Sequence, residues 1–390
     1  MIPTPRTLLA LGWVAFASIN PAAAAQTATP GQPALQLGRI GPKLTVVHQF
    51  GDDFHLVGLG VSKTGRVFAT APTARKTGGV SVVEVDLKTG ATTPYPDAAW
   101  NTIRATDDGK PEWGAVQAMW DDADDHLWAL DTGVPGPGHT IPPKLVEFDL
   151  TTNQPIRTYT FEGTVTPQDS LNDVRVDLPH HSAYLTNAGH GGGIVVLDLD
   201  TGKSRMVLAG DRSAVADPAQ HLMIGDQPAI FPNGKPVVIQ TDGIALSPDT
   251  TWLYYRPLTD HNYWRVPTAA LRDPALTEAA VSKQVQYLGG AALSGGLIMD
   301  QAGTLFAGDI EHATVVALTL RTGRLASRIF VRDPGQLAWA DGFAISGGDL
   351  YISDSHLNEV AFKNDLPRSG PFTIFKVKLP PGFKVKLPPG

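Results

Sequence analysis

The sequence predicts an all-β fold, a six-bladed β-propeller of four-stranded antiparallel blades closed by an N-terminal strand. Three observations carry that prediction. An Asp or Asn corner leads into two strands around a tight turn, most clearly in TDGIALSPDTTWLYYRPL from Thr241. Weaker copies recur as VQAMWDDADDHLWALDTG, LNDVRVDLPHHSAYLTNAG, GGLIMDQAGTLFAGDI and DGFAISGGDLYISDS. A strand-ending tag repeats beside them: DLKTG at 86–90, DLTTN at 149–153, DLDTG at 198–202 and TLRTG at 319–323. Finally, 40 Gly and 32 Pro in 390 residues suit many turns rather than long helices.

The chain begins with a segment that reads as processing signal rather than fold. Residues 1–25 place Arg6 before an apolar run from Leu8 to about Ala17, then Ala23 and Ala25 before Gln26. That is the order of a secretory signal peptide, and the run is too short to span a bilayer. A secreted or periplasmic protein is expected, with residues 26–42 as a flexible leader and 43–382 as one propeller. Residues 44–50, LTVVHQF, are a spare strand that would complete the last blade beside FTIFKVKL.

Lead strands start near Val57, Gln117, Asn172, Asp242, Gly295 and Asp341. Each is followed by alternating or β-branched runs bounded by turn residues. The fourth unit lacks its tag, and WRVPTAALRDPALTEAA stands there as a short helix or loop. Connectors 97–113 and 210–240, rich in Pro, Gly and Asp, are expected on the faces. At the end FKVKLPPG occurs twice, and the second copy, 383–390, has no partner strand and reads as a disordered tail.

Composition excludes several classes. A net charge of -7 without a basic run argues against nucleic acid and anionic membrane surfaces, and no stretch of the mature chain is long and apolar enough to span. The absence of cysteine removes thiol nucleophiles, thiolate metal sites and disulfides. A monomer held by its core alone is expected, with a small-molecule ligand and no organic cofactor.

In a propeller the residue just before each lead strand faces one mouth of the axis. Alignment of the six units puts Val57, Gln117, Asn172, Asp242, Gly295 and Asp341 at equivalent places. Two carboxylates converging there need a cation, a proton or a cationic ligand. Hard oxygen donors suit Ca²⁺ or another hard divalent ion, with Asn172, Asp242 and Asp341 as the candidate ligands. The alternative is that these side chains only cap blade turns. His190, in AGHGGG at 188–193, belongs to a hairpin loop and is a candidate to point over the channel; no nucleophile elbow accompanies it. DDADDH at 121–126 fits an inter-strand turn better than a calcium loop, and His180 and His181 sit in a turn. His312 and His356 occupy comparable strand-to-loop positions of neighbouring blades, where a histidine pair could act as acid and base or hold a metal.

The ordered set VQAMWDDADDHLWALDTG, PPKLVEFDL, LNDVRVD, IVVLDLDTGKS and DGIALSPD resembles the Yellow/major royal jelly protein family from about 44 to 378. That resemblance implies a six-bladed propeller with either dopachrome-converting activity or binding of small aromatic amines. Asp242 and Asp341 with Trp339 would suit such an amine, carboxylate to ammonium and indole to ring. DGIALSPD is also similar to a corner of the gluconolactonase/regucalcin-like propellers, whose resemblance implies a metal held by a Glu, two Asn and an Asp. Asn172 matches one Asn and Asp242 replaces the other, but Val57 stands for the Glu and Gly295 for the Asp. A remodelled lactonase is therefore the second reading, and a non-catalytic interaction propeller the third.

Overall fold

The computed structural model describes residues 38–134, 139–362 and 370–380. The segment expected to be a signal peptide, most of the expected leader and the second tail copy lie outside these residues. Six four-stranded antiparallel sheets are arranged in a ring. Their innermost strands are Leu59–Val61, Val116–Asp121, Leu171–Asp177, Thr241–Leu246, Leu297–Met299 and Ala340–Ser346, each hydrogen-bonded to the strand that follows it. The expected starts therefore fall within two residues of the inner strand in every blade.

Closure is as the sequence implies. Thr45–Phe50 pairs antiparallel with Phe372–Lys378, so the sixth blade runs from Ala340–Ser346 through Asp349–Asp354 to Phe372–Lys378 and ends on the N-terminal strand. Joining the two ends of the chain in one sheet removes the open seam that a ring of blades would otherwise leave.

Middle strands are apolar on both faces because each blade is sandwiched between two others. Val315, Val316, Ala317 and Leu318 are consecutive and all buried. Alternate residues go to different clusters: Val315 and Ala317 pack with Phe343 and Ile352 of blade six, Val316 and Leu318 with Ala245 and Tyr254 of blade four. The missing tag of blade four is replaced by two short helices, Thr268–Arg272 and Glu278–Ser282, the second capped by the Thr277 side chain accepting from Ala280 N–H. The 210–240 connector carries a small hairpin, Met223–Ile224 with Gln227–Pro228.

Candidate functional site

All six aligned positions line one small central cavity, together with Gly58, Asp173, Arg175, Gly296 and Gly342. Two local devices aim them inward. In four blades the register of the inner strand slips at this point: between Val116 and Ala118, Leu171 and Val174, Thr241 and Ile244, and Ala340 and Phe343. Such bulges re-aim side chains and leave a backbone N–H without its ladder partner. Hydroxyls on the second strand take up N–H groups at this level: in two of the bulged blades Thr186 Oγ1 accepts from Asp173 at 3.0 Å and Ser353 Oγ from Gly342 at 2.7 Å, and in blade one, which has no slip, Thr70 Oγ1 accepts from Gly58 at 2.9 Å. Thr186 and Ser353 pass the bond to the next blade, donating to the carbonyls of Asp242 and Val57. The inner strands approach so closely that a Cβ on Gly296 would lie 1.6 Å from the Asp341 carbonyl oxygen.

The cavity is a chamber of about 40 Å³, room for an ion, one or two waters or an ammonium head. Asn172 Nδ2 donates to Asp242 Oδ2 at 3.0 Å. Gly295 is the gap between the carboxylates: a Cβ there would sit 3.0 Å from Asp341 Oδ1 and 3.6 Å from Asp242 Oδ1. Asp341 Oδ2, Trp339 Nε1 and Ser355 Oγ are buried together, and Ser355 and Trp339 both present donors to the Asp341 carboxyl, at longer than ordinary hydrogen-bond geometry. Burial pushes Asp341 up to about 7, with repulsion from Asp173 and Asp354 adding to it and the Ser355 and Trp339 donors opposing. Burial also raises Asp242 well above the usual carboxylate range, with Asp341 and Asp173 adding to it and Arg256 opposing. Three acids thus share a space with one resident cation, Arg175.

An apolar layer and an arginine flank the chamber. Above it, Leu222, Ala229 and Val237 of the long connector pack with Leu258, Leu293, Ile310 and Trp339. The Leu258 side chain lies 3.5 Å from the position of a Cβ on Gly295, so this apolar roof covers the carboxylate pair. Below, Arg175 crosses from blade three: Nη1 donates to Asp173 Oδ1 at 2.7 Å, Nη2 to the Leu297 carbonyl of blade five, and the guanidinium lies 4.6 Å over the Trp120 ring.

Beyond Arg175 the channel widens at the far ends of the inner strands into a funnel of about 570 Å³. Leu59, Met119, Trp120, Val176, Ile298 and Phe343 give it an apolar wall, and Asp121 stands on its side. Asp121 Oδ1 is buried without a partner, and burial pushes the carboxyl up to about 8, the Val61 N–H opposing.

The other expected residues are placed as follows. Gln117, Asn172, Asp242 and Asp341 line the chamber, whereas Trp339, His190 and His312 do not. Trp339 is 1% exposed and packs edge-on to Phe362 in the roof. His190 is exposed in its loop, with its backbone N–H on Gln168 O. His312 is exposed and meets Asp309 at 2.8 Å. His356 is buried between Asp354 and Glu359 rather than beside His312, an ion-paired anchor of the turn. Asp122 of DDADDH accepts from Trp128 Nε1 and from two turn N–H groups. Asp173, Arg175, Trp120 and Asp121 are the residues that sequence reasoning missed.

The model of the family described as major royal jelly protein matches residues 116–379, blades two to six without the N-terminal closing strand. The chain belongs to the major royal jelly protein family. Among its relatives, major royal jelly protein 6 of Apis mellifera is 25% identical over 246 residues, 57% of this chain and 50% of that protein. Protein yellow of Drosophila melanogaster is 29% identical over 238 residues, 56% of this chain and 42% of that protein. The chain thus matches about half the length of these relatives. Among solved structures, a luciferin-regenerating enzyme aligns with TM-score 0.55 at 11% identity, covering 89% of this chain and 100% of that one. Regucalcin of Agrobacterium tumefaciens, described as calcium-binding, aligns with TM-score 0.52 at 14% identity, over 87% and 95%. At these identities the structures share the fold alone.

A lactonase-type metal fits this family member's chamber poorly. Val57 and Gly295 offer no side-chain oxygen, and Arg175 already supplies a charge. Asp341 Oδ2 and the Asn172 and Gln117 carbonyls are oxygens that a small hard cation would accept. A hydrolytic metal also needs an open position for substrate, and a chamber of about 40 Å³ leaves little room for one.

Proposed function

We propose that this family member is an exported binding propeller that takes a small aromatic amine in the funnel rather than at the carboxylate chamber. The observation that carries the reading is a cavity of about 570 Å³ whose lining holds both the Trp120 ring and the largely buried Asp121 carboxyl. Its volume lies in the range of small-ligand sites, and apolar walls with one or two placed polar groups are what such sites require. An ammonium at Asp121 favours the ionised carboxylate, while Trp120, Met119 and Phe343 hold the ring. Export is supported by the order of residues 1–25. A carboxyl near 8 is also poised to move a proton at neutral pH, so dopachrome-like isomerisation belongs to the same reading.

Calorimetric titration with dopamine tests it. Wild type is expected to bind, Asp121→Asn to bind about tenfold more weakly, the loss of one charge-assisted contact, and Asp242→Asn to bind as wild type. Absence of wild-type binding, or a loss confined to Asp242→Asn, removes the funnel reading. Loss of dopachrome turnover in Asp121→Asn with binding retained would assign the proton transfer to this carboxyl.

A further inference from the structure

We propose that His261, Asp309, Glu311 and His312 form a site for a zinc-class divalent cation that pins the long connector to blades four and five. The four residues come from equivalent places in adjacent blades. His261 lies between the second and third strands of blade four, Trp252–Pro257 and Asn262–Pro267. Asp309 ends the second strand of blade five, Leu305–Asp309, and Glu311 and His312 form its turn into Thr314–Arg321. One ligand atom from each of Asp309, Glu311 and His312 lies within 4.8 Å of the others. His261 Nε2 is 3.1 Å from Glu311 Oε2.

The hydrogen bonds around His261 hold its ring in the orientation of a metal ligand. Its backbone N–H donates to Gln220 Oε1 at 3.0 Å, which fixes that amide with its oxygen toward the histidine. The Nδ1 atom faces the same oxygen at 3.0 Å, so it carries a proton. Nε2 then directs either a lone pair or a second proton at a carboxylate oxygen. That orientation is also the one a metal ligand needs: metal-bound histidines keep their other N–H on a carbonyl or carboxylate, here Gln220 Oε1, with Nε2 toward the ion. Two imidazoles with two carboxylates suit zinc better than calcium or magnesium, which prefer oxygen alone. Zinc–ligand distances near 2.0–2.2 Å require the set to contract, and His312, 63% exposed, has room to exchange its contact with Asp309 for the ion. The remaining Glu311 oxygen accepts from Met223 N–H at 2.8 Å, and Gln220 lies in the same connector. A bound ion therefore holds the roof segment to the ring. Its residues are separate from both the chamber and the funnel.

Chelator-stripped protein titrated with zinc chloride, followed by calorimetry and thermal unfolding, tests the site. One equivalent is expected with Kd of about 10 µM or tighter, raising Tm by a few degrees in excess zinc. His312→Ala is expected to fold with wild-type Tm in the absence of zinc and to bind at least tenfold more weakly; His261→Ala should behave alike. Asp242→Asn combined with Asp341→Asn should bind zinc as wild type does. The proposal is overturned if wild type shows no heat and no Tm rise at about 100 µM zinc. It is equally overturned if calcium alone acts, or if His312→Ala and His261→Ala both bind unchanged.

Discussion

The two halves of the central channel are built from the same six strands and reach opposite solutions. The upper chamber gathers Asp173, Asp242 and Asp341 about one arginine in roughly 40 Å³, with a roof above. The lower funnel spreads apolar side chains around about 570 Å³; of the three aspartates on its lining, Asp121, Asp122 and Asp300, it is Asp121 that keeps a buried oxygen without a partner. Arg175 stands at the boundary and serves both, as counter-ion to Asp173 on one side and as cation over Trp120 on the other. The difference teaches that polarity alone does not locate a ligand site. The more polar compartment is the one with no room, and the roomier one is mostly apolar.

Removing the boundary is expected to have the largest effect. Arg175 is buried, and Arg175→Ala strips Asp173 of its partner inside the fold. Breaking a buried pair on one side costs about 3–5 kcal/mol. Arg175→Met keeps most of the volume but still leaves Asp173 bare, so only Arg175→Met with Asp173→Asn should recover stability. Urea midpoints of the three variants check this. If all three match wild type, Arg175 is not the brace between the compartments.

Dopamine binding comes next in size. The tenfold weakening expected for Asp121→Asn, against none for Asp242→Asn, separates the compartments by function. The pH dependence separates them by charge. Asp341 in the folded state titrates near 7, above its unfolded value, so the folded state holds a proton that the unfolded state has released. That stability is complete below about pH 4 and is lost as pH rises through 7. Asp341→Asn removes the dependence, and its Tm should gain on wild type by a few degrees between pH 5 and pH 8. A constant difference across that range would mean that Asp341 is ionised throughout.

The fold was legible because it is repetitive. Each blade repeats an apolar pair of strands with a turn, and closure needed only a spare strand at 44–50. The six aligned positions met at one cavity for the same reason. Arg175 and Asp173 were not legible because LNDVRVD reads as a plain alternating strand. A period of two sends Asn172 to one face and Asp173 with Arg175 to the other. The register break between Leu171 and Val174 brings all three onto the channel, and nothing in the residue types announces it. Trp339 misled for a different reason: the 210–240 connector has no period, so its role as a roof packed on that indole emerges only from the packing. Asp121 was read within DDADDH as a turn residue, whereas the turn is held by Asp122 and Asp121 faces the funnel.

The smallest expected effect is the most local. Gly295 has ordinary backbone angles, so Ala is permitted there by conformation, and only space is at issue. Its new methyl would lie 3.0 Å from Asp341 Oδ1, tight enough that the carboxyl must shift, and 3.6 Å from Asp242 Oδ1, an ordinary contact. The methyl also takes part of the little room in the chamber. Gly295→Ala is therefore expected to lose about 1 kcal/mol, the lower end of an overpacked site, and to raise the Asp341 titration further by deepening its burial. Dopamine affinity should stay at the wild-type value, since the funnel lies beyond Arg175. Urea unfolding at pH 5 and pH 8 with one calorimetric titration suffices. A fall in dopamine affinity larger than the fall in stability would place the ligand's ammonium in the chamber after all, between the two carboxylates that Gly295 separates.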